Sequence, residues 1–377
     1  MKILIFTASA GNGHNSAAHN LQKHFLRIDG NAQVKIVDAY KEYTSPIKNF
    51  IQTKGYLALC DRCVWLYNYF FKKAEKGNFV HPEKLRVNRI TKSLQKGMLK
   101  EINEFAPDLI FSTYIYCSIA LSNLKRKNDI HVKTASVALD YGVSPFWECI
   151  AKNTDYMFIP NDSVKSQFIE RGFNEKVLFV TGIPVSDVYE KLPPKDTARK
   201  MLGLSAYKFT VLVMKSGFFT IKDKALIKAL KNTDENVQAV VINGTAEKSK
   251  KTIDKYILKH DLKHKIINYG FTDEIPTFFA ACDAVVCKGG GLTLTEAVNA
   301  KIPMLIVDNL PVQEVYNKIF MVENECAVST DKRTLTDDIN GLLHDADKAD
   351  SMRNNCAKTR TEKSCERICN ILMGISA

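Results

Sequence analysis

Ala284-Val-Val-Cys287, followed by Lys288-Gly-Gly-Gly-Leu-Thr-Leu-Thr-Glu296, is the stretch that decides the fold. The four apolar residues read as a buried strand, and Ala297-Val-Asn-Ala300 reads as a continuing helix. A strand, three glycines and a helix N-terminus together make a turn that can hold a phosphate. Glycine lets the backbone come close, while free N–H groups and the helix dipole face the anion. Glu296, within two turns of the helix start, can reach ribose hydroxyls. The same glycines also suit a plain tight turn between strand and helix, so the rest of the chain must arbitrate.

Working outward, the pattern alternates between strands and helices. In the first half, Lys2–Ala8, Gln33–Asp38, Asp108–Thr113, Lys133–Leu139, Tyr156–Pro160 and Lys176–Val180 read as strands. Ala17, Ala18, Leu21 and Phe25 recur at helical spacing within Asn15–Arg27, and 47–71 and 83–105 also read as helices. Thr181-Gly-Ile-Pro184 and Leu192-Pro-Pro-Lys195 interrupt the alternation, which makes 181–196 the linker. A second cycle follows, with strands at Thr210–Met214, Val237–Ile242, Lys265–Tyr269, Ala284–Cys287 and Pro303–Val307, helices at Ala225–Leu230 and Ile275–Ala281, and a helical tail over Asp347–Met373.

Two β/α cycles predict an α/β protein of two doubly wound parallel-sheet domains facing each other. The expected division is 1–185, 186–350 and a helical tail, 351–377, packing back on the first domain. Ligands are expected at the carboxyl ends of the strands, in the cleft between the domains.

A chain of 377 residues with 45% hydrophobic content can bury two ordinary cores. No run approaches the ~20 apolar residues of a membrane span. Met1-Lys-Ile-Leu-Ile-Phe-Thr-Ala-Ser-Ala10 imitates a signal peptide, but its apolar run is short, so it reads as a first strand. The protein is then expected in the cytosol with its ten cysteines reduced, and the lone Cys60-x-x-Cys63 as core packing rather than a metal site.

The charge of +12 is uneven: residues 41–100 hold 13 Lys+Arg against 4 Asp+Glu. They also hold Val64-Trp-Leu-Tyr-Asn-Tyr-Phe-Phe71. Basic residues beside aromatic and aliphatic ones suit an anionic membrane surface, though a core helix followed by a solvated basic one gives the same pattern. No recognition motif supports nucleic acid.

Five segments carry candidate chemistry at strand ends. In Ser9-Ala-Gly-Asn-Gly-His-Asn-Ser-Ala17, Gly11, Asn12 and Gly13 make a sharp turn and His14 stands at a helix entrance. A histidine there can serve as a general base near neutral pH, or merely cap the loop. The Gly289–Glu296 unit is the second. In Leu310-Pro-Val-Gln-Glu-Val-Tyr-Asn317, Gln313, Glu314 and Asn317 can bond sugar hydroxyls, or form a solvated loop. Gly270-Phe271 and Thr272 end another strand and can hold a flat base such as uracil. Leu139-Asp-Tyr-Gly-Val-Ser-Pro-Phe-Trp147 places Asp140 at a fifth strand end, with Phe146 and Trp147 expected in the core.

In this order the motifs resemble those of the monogalactosyldiacylglycerol synthase and processive diacylglycerol glucosyltransferase family, inverting glycosyltransferases of GT-B fold. The resemblance rests on Gly11-Asn-Gly-His14 with Ala17-Ala18, Thr181-Gly-Ile-Pro-Val185, Gly270-Phe-Thr-Asp273, Lys288-Gly-Gly-Gly-Leu-Thr with Glu296-Ala297, and Gln313-Glu with Asn317. It spans roughly residues 1–330.

The resemblance implies two Rossmann-like domains and transfer of a hexose from a UDP-sugar to a membrane lipid, diacylglycerol first. The donor is UDP-glucose or UDP-galactose, with UDP-N-acetylglucosamine an alternative. It puts Gly270, Phe271 and Thr272 at the uracil, Lys288, Gly289, Gly290, Gly291, Leu292 and Thr293 at the diphosphate, and Glu296 at the ribose. Gln313 and Glu314 approach the sugar, Lys215, Ser216 and Gly217 a phosphate, and His14 or Asp140 takes the acceptor proton. It implies no metal and no cofactor beyond the donor, no nucleic acid, and a place on the inner face of the cell membrane with 41–100 docking there.

Two departures stand out. Phe218-Phe219 follows Lys215-Ser-Gly217 where the family carries a glycine-rich loop, and Ser144 stands where many members have histidine. The alternatives are a lipid II-forming N-acetylglucosaminyltransferase, a UDP-sugar 2-epimerase and a UDP-sugar sensor without transfer.

Overall fold

The computed structural model describes residues 1–9, 12–45, 55, 64–66, 68–69, 81–215 and 219–374, with backbone alone for 81–86 and 88. The expected helix over 47–71 and the Cys60-Cys63 pair therefore lie largely or wholly outside the described residues. The chain divides into two compact units: Met1–Ser186 together with the segment from Lys363 onward, and Asp187–Glu362.

The first unit is built on six parallel strands: β1 (Lys2–Thr7), β2 (Gln33–Asp38), β3 (Leu109–Ser112), β4 (Lys133–Val137), β5 (Tyr156–Ile159) and β6 (Leu178–Val180). Their order across the sheet is β2-β1-β3-β4-β5-β6. The chain moves outward from β1 to β2, then returns to the other side of β1 with β3. Strand order thus reverses between β1 and β3, the kind of point at whose carboxyl ends doubly wound sheets bind their ligands.

Helices cover the sheet: α1 (Asn12–Ile28), α2 (Ala39–Tyr43), α3 (His81–Phe105), α4 (Ile115–Arg126) and α5 (Asp162–Glu170). Helix α1 forms because Ala17, Ala18, Leu21 and Phe25 fall on one face, and all four are buried. A 3-10 turn over Pro145–Ile150 starts at Ser144, whose Oγ accepts from the Phe146 N–H. Trp147 is buried and tilts against Phe168, with ring centroids 6.0 Å apart, so this end of the Asp140 loop is anchored in the core.

The second unit repeats the plan with α6 (Lys195–Met201), β7 (Phe209–Met214), α7 (Asp223–Lys231), β8 (Val237–Ile242), α8 (Glu247–Lys259), β9 (Ile266–Tyr269), α9 (Ile275–Ala281), β10 (Ala284–Cys287), α10 (Gly291–Asn299), β11 (Met304–Val307), α11 (Val312–Glu323), β12 (Ala327–Thr330), α12 (Leu335–His344) and α13 (Ala346–Thr359). All six strands are parallel, in the order β12-β11-β10-β7-β8-β9. Reversal falls between β7 and β10. Every residue of β8, β10 and β11 is buried, as expected of parallel strands covered on both faces. Strand β12 escapes a sequence reading because Ala-Val-Ser-Thr is short and half polar.

Ionic contacts at the amino end of this sheet are structural. Arg199, itself buried, donates to Asp283 at 2.6 Å, and the Thr210 N–H donates to the same carboxylate at 2.7 Å. Together they tie α6 to the starts of β7 and β10, on the opposite edge from the glycine-rich turn.

The tail is divided between the units. Helix α13 remains in the second unit, where the buried Cys356 thiol reaches the Ile302 carbonyl. Helix α14 (Ser364–Met373) packs on α1 in the first, with Cys369 Sγ reaching the Leu21 carbonyl and Cys365 Sγ donating to that of Val185 at 3.3 Å. The described cysteines are all unbridged, and all but Cys149 are buried.

Candidate active site

In each unit some of the residues singled out by sequence stand where the strand order reverses, His14 in the first and Lys215 with residues 288–293 in the second, whereas Asp140 follows β4 and residues 270–272 follow the edge strand β9. In the first, His14 enters α1 just after β1, and Thr113 follows β3. The His14 ring nitrogen Nδ1 stands 2.7 Å from the Thr113 carbonyl. A carbonyl only accepts, so Nδ1 carries the proton and Nε2 keeps its lone pair. The Tyr114 ring meets the imidazole edge-on at 4.9 Å, and its hydroxyl shares a 3.0 Å hydrogen bond with Tyr40. Burial holds the His14 pKa below its ordinary 6.5, with the Thr113 carbonyl opposing part of that effect.

Around this histidine the turn is held by side chains. Thr7 Oγ1 donates to Asn15 Oδ1 at 2.9 Å, Asn15 Nδ2 donates to Ser9 Oγ at 3.1 Å, and Ser9 Oγ donates to Asp38. Asp38 also caps α2, accepting from the Tyr40 and Lys41 N–H groups. Asn12 and Gly13 open α1, while Gly11 lies outside the described residues. Asp140 stands three residues beyond β4 and is partly buried.

In the second unit, Lys288 and Gly289 leave β10, Gly290 caps α10, and Gly291, Leu292 and Thr293 form its first turn. The close approach of α11 explains why position 289 must be glycine. A Cβ there would lie 2.3 Å from the Glu314 carbonyl oxygen, whereas one on Gly290 would meet nothing nearer than the Lys288 side chain at 3.7 Å.

Asn317, expected among sugar contacts, is fully buried and donates to the Gly289 carbonyl at 2.8 Å. It lies one turn after Gln313 on α11, and its amide is taken up by the glycine turn. Lys288 Nζ pairs with Glu314 Oε1, and the other oxygen of Glu314 is buried without a hydrogen-bond partner. Gln313 begins α11 beside Glu314 and is partly buried.

Glu296 lies one turn into α10, partly buried, and bonds to the Tyr189 hydroxyl from the 3-10 turn Asp187–Glu190. Burial pushes its pKa up to about 8, with the Tyr189 hydrogen bond offsetting part of the shift. Tyr189 is only 6% exposed, and burial raises its own pKa as well.

Lys215 leaves β7, the other strand flanking the reversal. Its ammonium is buried, pairs with Asp223 and donates to Ser249 Oγ at 2.7 Å. Ser249 donates in turn to Asn243, and Asn243 Nδ2 to Asn268 at 2.6 Å. This chain runs along the carboxyl ends of β7, β8 and β9. Ser216 and Gly217 are outside the described residues. Gly270 follows β9, Phe271 is 66% exposed, and Thr272 Oγ1 accepts from the Glu274 N–H at 3.1 Å.

Sequence reasoning finds the residues on the turns but misses their supports, namely Thr113, Tyr114, Tyr189, Asp223 and Ser249. The only signal for these is their place just beyond a strand or on a facing helix.

Comparison with known proteins fits this geometry. Residues 14–185 match the family model of monogalactosyldiacylglycerol (MGDG) synthase, and residues 194–359 that of glycosyl transferases group 1. The chain is similar to the processive diacylglycerol beta-glucosyltransferase of Bacillus pumilus, at 28% identity over 97% of this chain and 93% of that one. Among solved structures, HepE of Anabaena in complex with UDP-glucose superposes with a TM-score of 0.59 at 17% identity over the whole of both chains. UDP-GlcNAc 2-epimerase from Neisseria meningitidis does so with 0.67 at 12% identity, over 99% of this chain and all of that one. At such identities these two show the fold alone, whereas the family matches speak to the reaction class. The chain is a glycosyltransferase of GT-B fold, with one region similar to the monogalactosyldiacylglycerol synthase model and a second similar to glycosyl transferases group 1.

Proposed function

We propose that this enzyme transfers a hexose from a UDP-sugar to the free hydroxyl of diacylglycerol at an anionic membrane surface, with inversion at the anomeric carbon. The observation that carries the reading is the tautomerically fixed His14 at the strand reversal of the first unit; the second unit by itself presents a glycine-capped helix N-terminus at its own reversal. The Bacillus relative, named for glucosyl transfer to diacylglycerol and matched over nearly its whole length, supports the substrates.

In this mechanism His14 Nε2 takes the proton as the acceptor oxygen attacks the anomeric carbon, and the bond from that carbon to the UDP oxygen breaks. Asp140 is the second candidate for the base. The Gly290–Thr293 N–H groups and the α10 dipole stabilise the charge developing on departing UDP, supplying electrostatically what a divalent cation otherwise would, so no metal is required. Gly270, Phe271 and Thr272 flank the uracil, and the exposed Phe271 ring offers a flat face to it. Glu296, largely protonated near neutral pH, can donate to or accept from ribose hydroxyls. Glu314 and Gln313 approach the sugar from the start of α11. UDP-glucose fits the relatives' names, with UDP-galactose and UDP-N-acetylglucosamine as competitors.

Among the described residues, no helix is long and apolar enough to cross a membrane. Contact with the inner face of the cell membrane then falls to the basic and aromatic region 41–100, of which Trp65 is 69% and Tyr69 51% exposed.

The test is incubation with each labelled UDP-sugar and diacylglycerol in anionic vesicles, with lipids resolved by chromatography and mass spectrometry. A labelled glycolipid is expected, with UDP-glucose preferred. UDP-sugar consumption without any lipid product would overturn the reading in favour of epimerisation or hydrolysis.

A further inference from the structure

Three buried serines stand behind His14, and none belongs to a recognised motif. Ser112 ends β3, Ser136 is its register partner in β4, and Ser118 lies in the first turn of α4, facing both. Ser136 Oγ donates to Ser118 Oγ at 2.9 Å, and Ser118 Oγ donates to Ser112 Oγ at 3.0 Å. Ser112 Oγ in turn donates to the Tyr114 carbonyl at 2.9 Å and accepts from the Tyr114 N–H at 3.3 Å. That N–H belongs to the peptide group whose carbonyl, on Thr113, receives the His14 proton.

One peptide unit therefore has its N–H held by the hydroxyl chain and its C=O held by the imidazole. Hydrogen bonds in series polarise one another, and here both ends also fix the plane of the peptide. The three hydroxyls sit in a largely apolar interior, each at most 3% exposed. Packing alone is served by alanine at such positions, since a buried hydroxyl brings a desolvation cost that only a satisfied network offsets.

We propose that Ser112, Ser118 and Ser136 form a positioning relay for the acceptor-side reaction, orienting the Thr113–Tyr114 peptide so that His14 is locked with its proton on Nδ1 and its lone pair on Nε2. This rests on the reading of His14 as the base. The serines touch no reacting atom and act through the peptide. Other titratable groups near the imidazole are Tyr114 on its edge, Tyr40 and Tyr116 against Tyr114, Cys117, whose thiol reaches the Thr7 carbonyl, and Asp38 at the end of β2. None of these interrupts the path from Ser118 to Thr113.

The decisive variant is Ser118→Ala in the full chain, with Ser136→Ala as the next link. Alanine suits a helix but leaves the Ser136 and Ser112 hydroxyls short of a partner, so some loss of stability is expected, and a cooperative melt with its midpoint well above the assay temperature serves as the control for folding. In Ser118→Ala, kcat for glycolipid formation should fall about tenfold while KM for the UDP-sugar stays unchanged, because a displaced base loses part of its catalytic factor. The acidic limb of the pH–rate profile should move to lower pH, because a weaker Thr113 contact no longer favours the imidazolium.

Nitrogen NMR of histidine-labelled protein gives a readout independent of activity. His14 should show one tautomer in the parent and a mixture in Ser118→Ala. A single unchanged tautomer with an unmoved pH profile in both serine variants overturns the relay. If His14→Ala keeps parental turnover, the base assignment fails by itself, and the tautomer measurement still decides whether the serines hold the ring.

Discussion

His14 Nδ1 lies 2.7 Å from the Thr113 carbonyl, so the residue entering α1 and the residue leaving β3 are joined across the point where the first sheet reverses. Parallel strands aim their free carboxyl ends at such a point, and the two turns there diverge to opposite faces of the sheet. A side chain from one turn bonded to the backbone of the other fixes a tautomer without any second ionisable group. Exchange of His14 for alanine should lower turnover by about 10²- to 10⁴-fold with little change in UDP-sugar affinity, measured by steady-state kinetics and calorimetry. His14→Ala turnover near the parental value would transfer the base role to Asp140.

Protonation of His14 links pH to both activity and stability. Its folded pKa is below the ordinary 6.5, so the unfolded chain binds the proton more readily. The stabilising contribution is complete above pH 6.5 and is lost as pH falls through the folded value. Turnover should follow, with its acidic limb below pH 6.5. Denaturant melts of the parent and His14→Ala as a function of pH should converge or cross on the acidic side; parallel curves would show that the imidazole does not titrate differently on folding.

The two glycines ahead of α10 should respond differently to the same added methyl. Gly289→Ala drives a Cβ into the Glu314 backbone at 2.3 Å, and shifting α11 should cost about 1–3 kcal/mol or more in a thermal or urea melt. Gly290→Ala has room and an ordinary backbone conformation, so the fold should survive. Its methyl would stand where an anion must approach the N–H groups, so UDP affinity should drop by about tenfold or more. Full UDP affinity in Gly290→Ala would move the diphosphate away from this helix end.

Glu296 has the opposite linkage to His14. Its pKa rises from 4.5 unfolded to about 8 folded, so the contribution is complete below 4.5 and is lost as pH rises through about 8. Glu296→Gln cannot ionise and keeps an acceptor for Tyr189. Relative to the parent, the variant should gain stability steadily between those two values, read from urea midpoints. Tyr189→Phe should cost about 1 kcal/mol and raise the Glu296 pKa further, since the hydroxyl now favours the carboxylate. A constant difference between the parent and Glu296→Gln would place the carboxyl in solvent.

Removal of the Lys215 charge strands the Asp223 carboxylate beside Ser249. Lys215→Met should therefore destabilise the second unit by about 3 kcal/mol, and adding Asp223→Asn should recover much of that loss. The pair stands just beyond β7, so UDP binding in the double variant tells whether the ammonium also serves the donor. Additive effects of the two substitutions would mean that they do not interact.

Periodicity and turn chemistry determined much of this protein before any coordinates. Buried apolar runs such as Ala284–Cys287 marked strands, glycines at 289–291 marked a turn, and the prolines at 193 and 194 stood between two repeated cycles. Those signals are local, and each concerns residues a few positions apart. The tertiary structure decided what local signals cannot carry: which strand lies beside which, and which side chain meets which backbone. Only the order β12-β11-β10-β7-β8-β9 brings Lys215 and Gly290 to the same reversal, although 75 positions separate them. Asn317 reads as a ligand contact in sequence because it is polar and near Gln313, yet the close packing of α11 on the glycine turn sets it against Gly289, where a buried carbonyl needs a donor. Thr113, Ser118 and Ser136 carry no motif at all, because their effect on His14 comes from hydrogen bonds between segments remote in sequence, and such bonds exist only once the sheet has assembled.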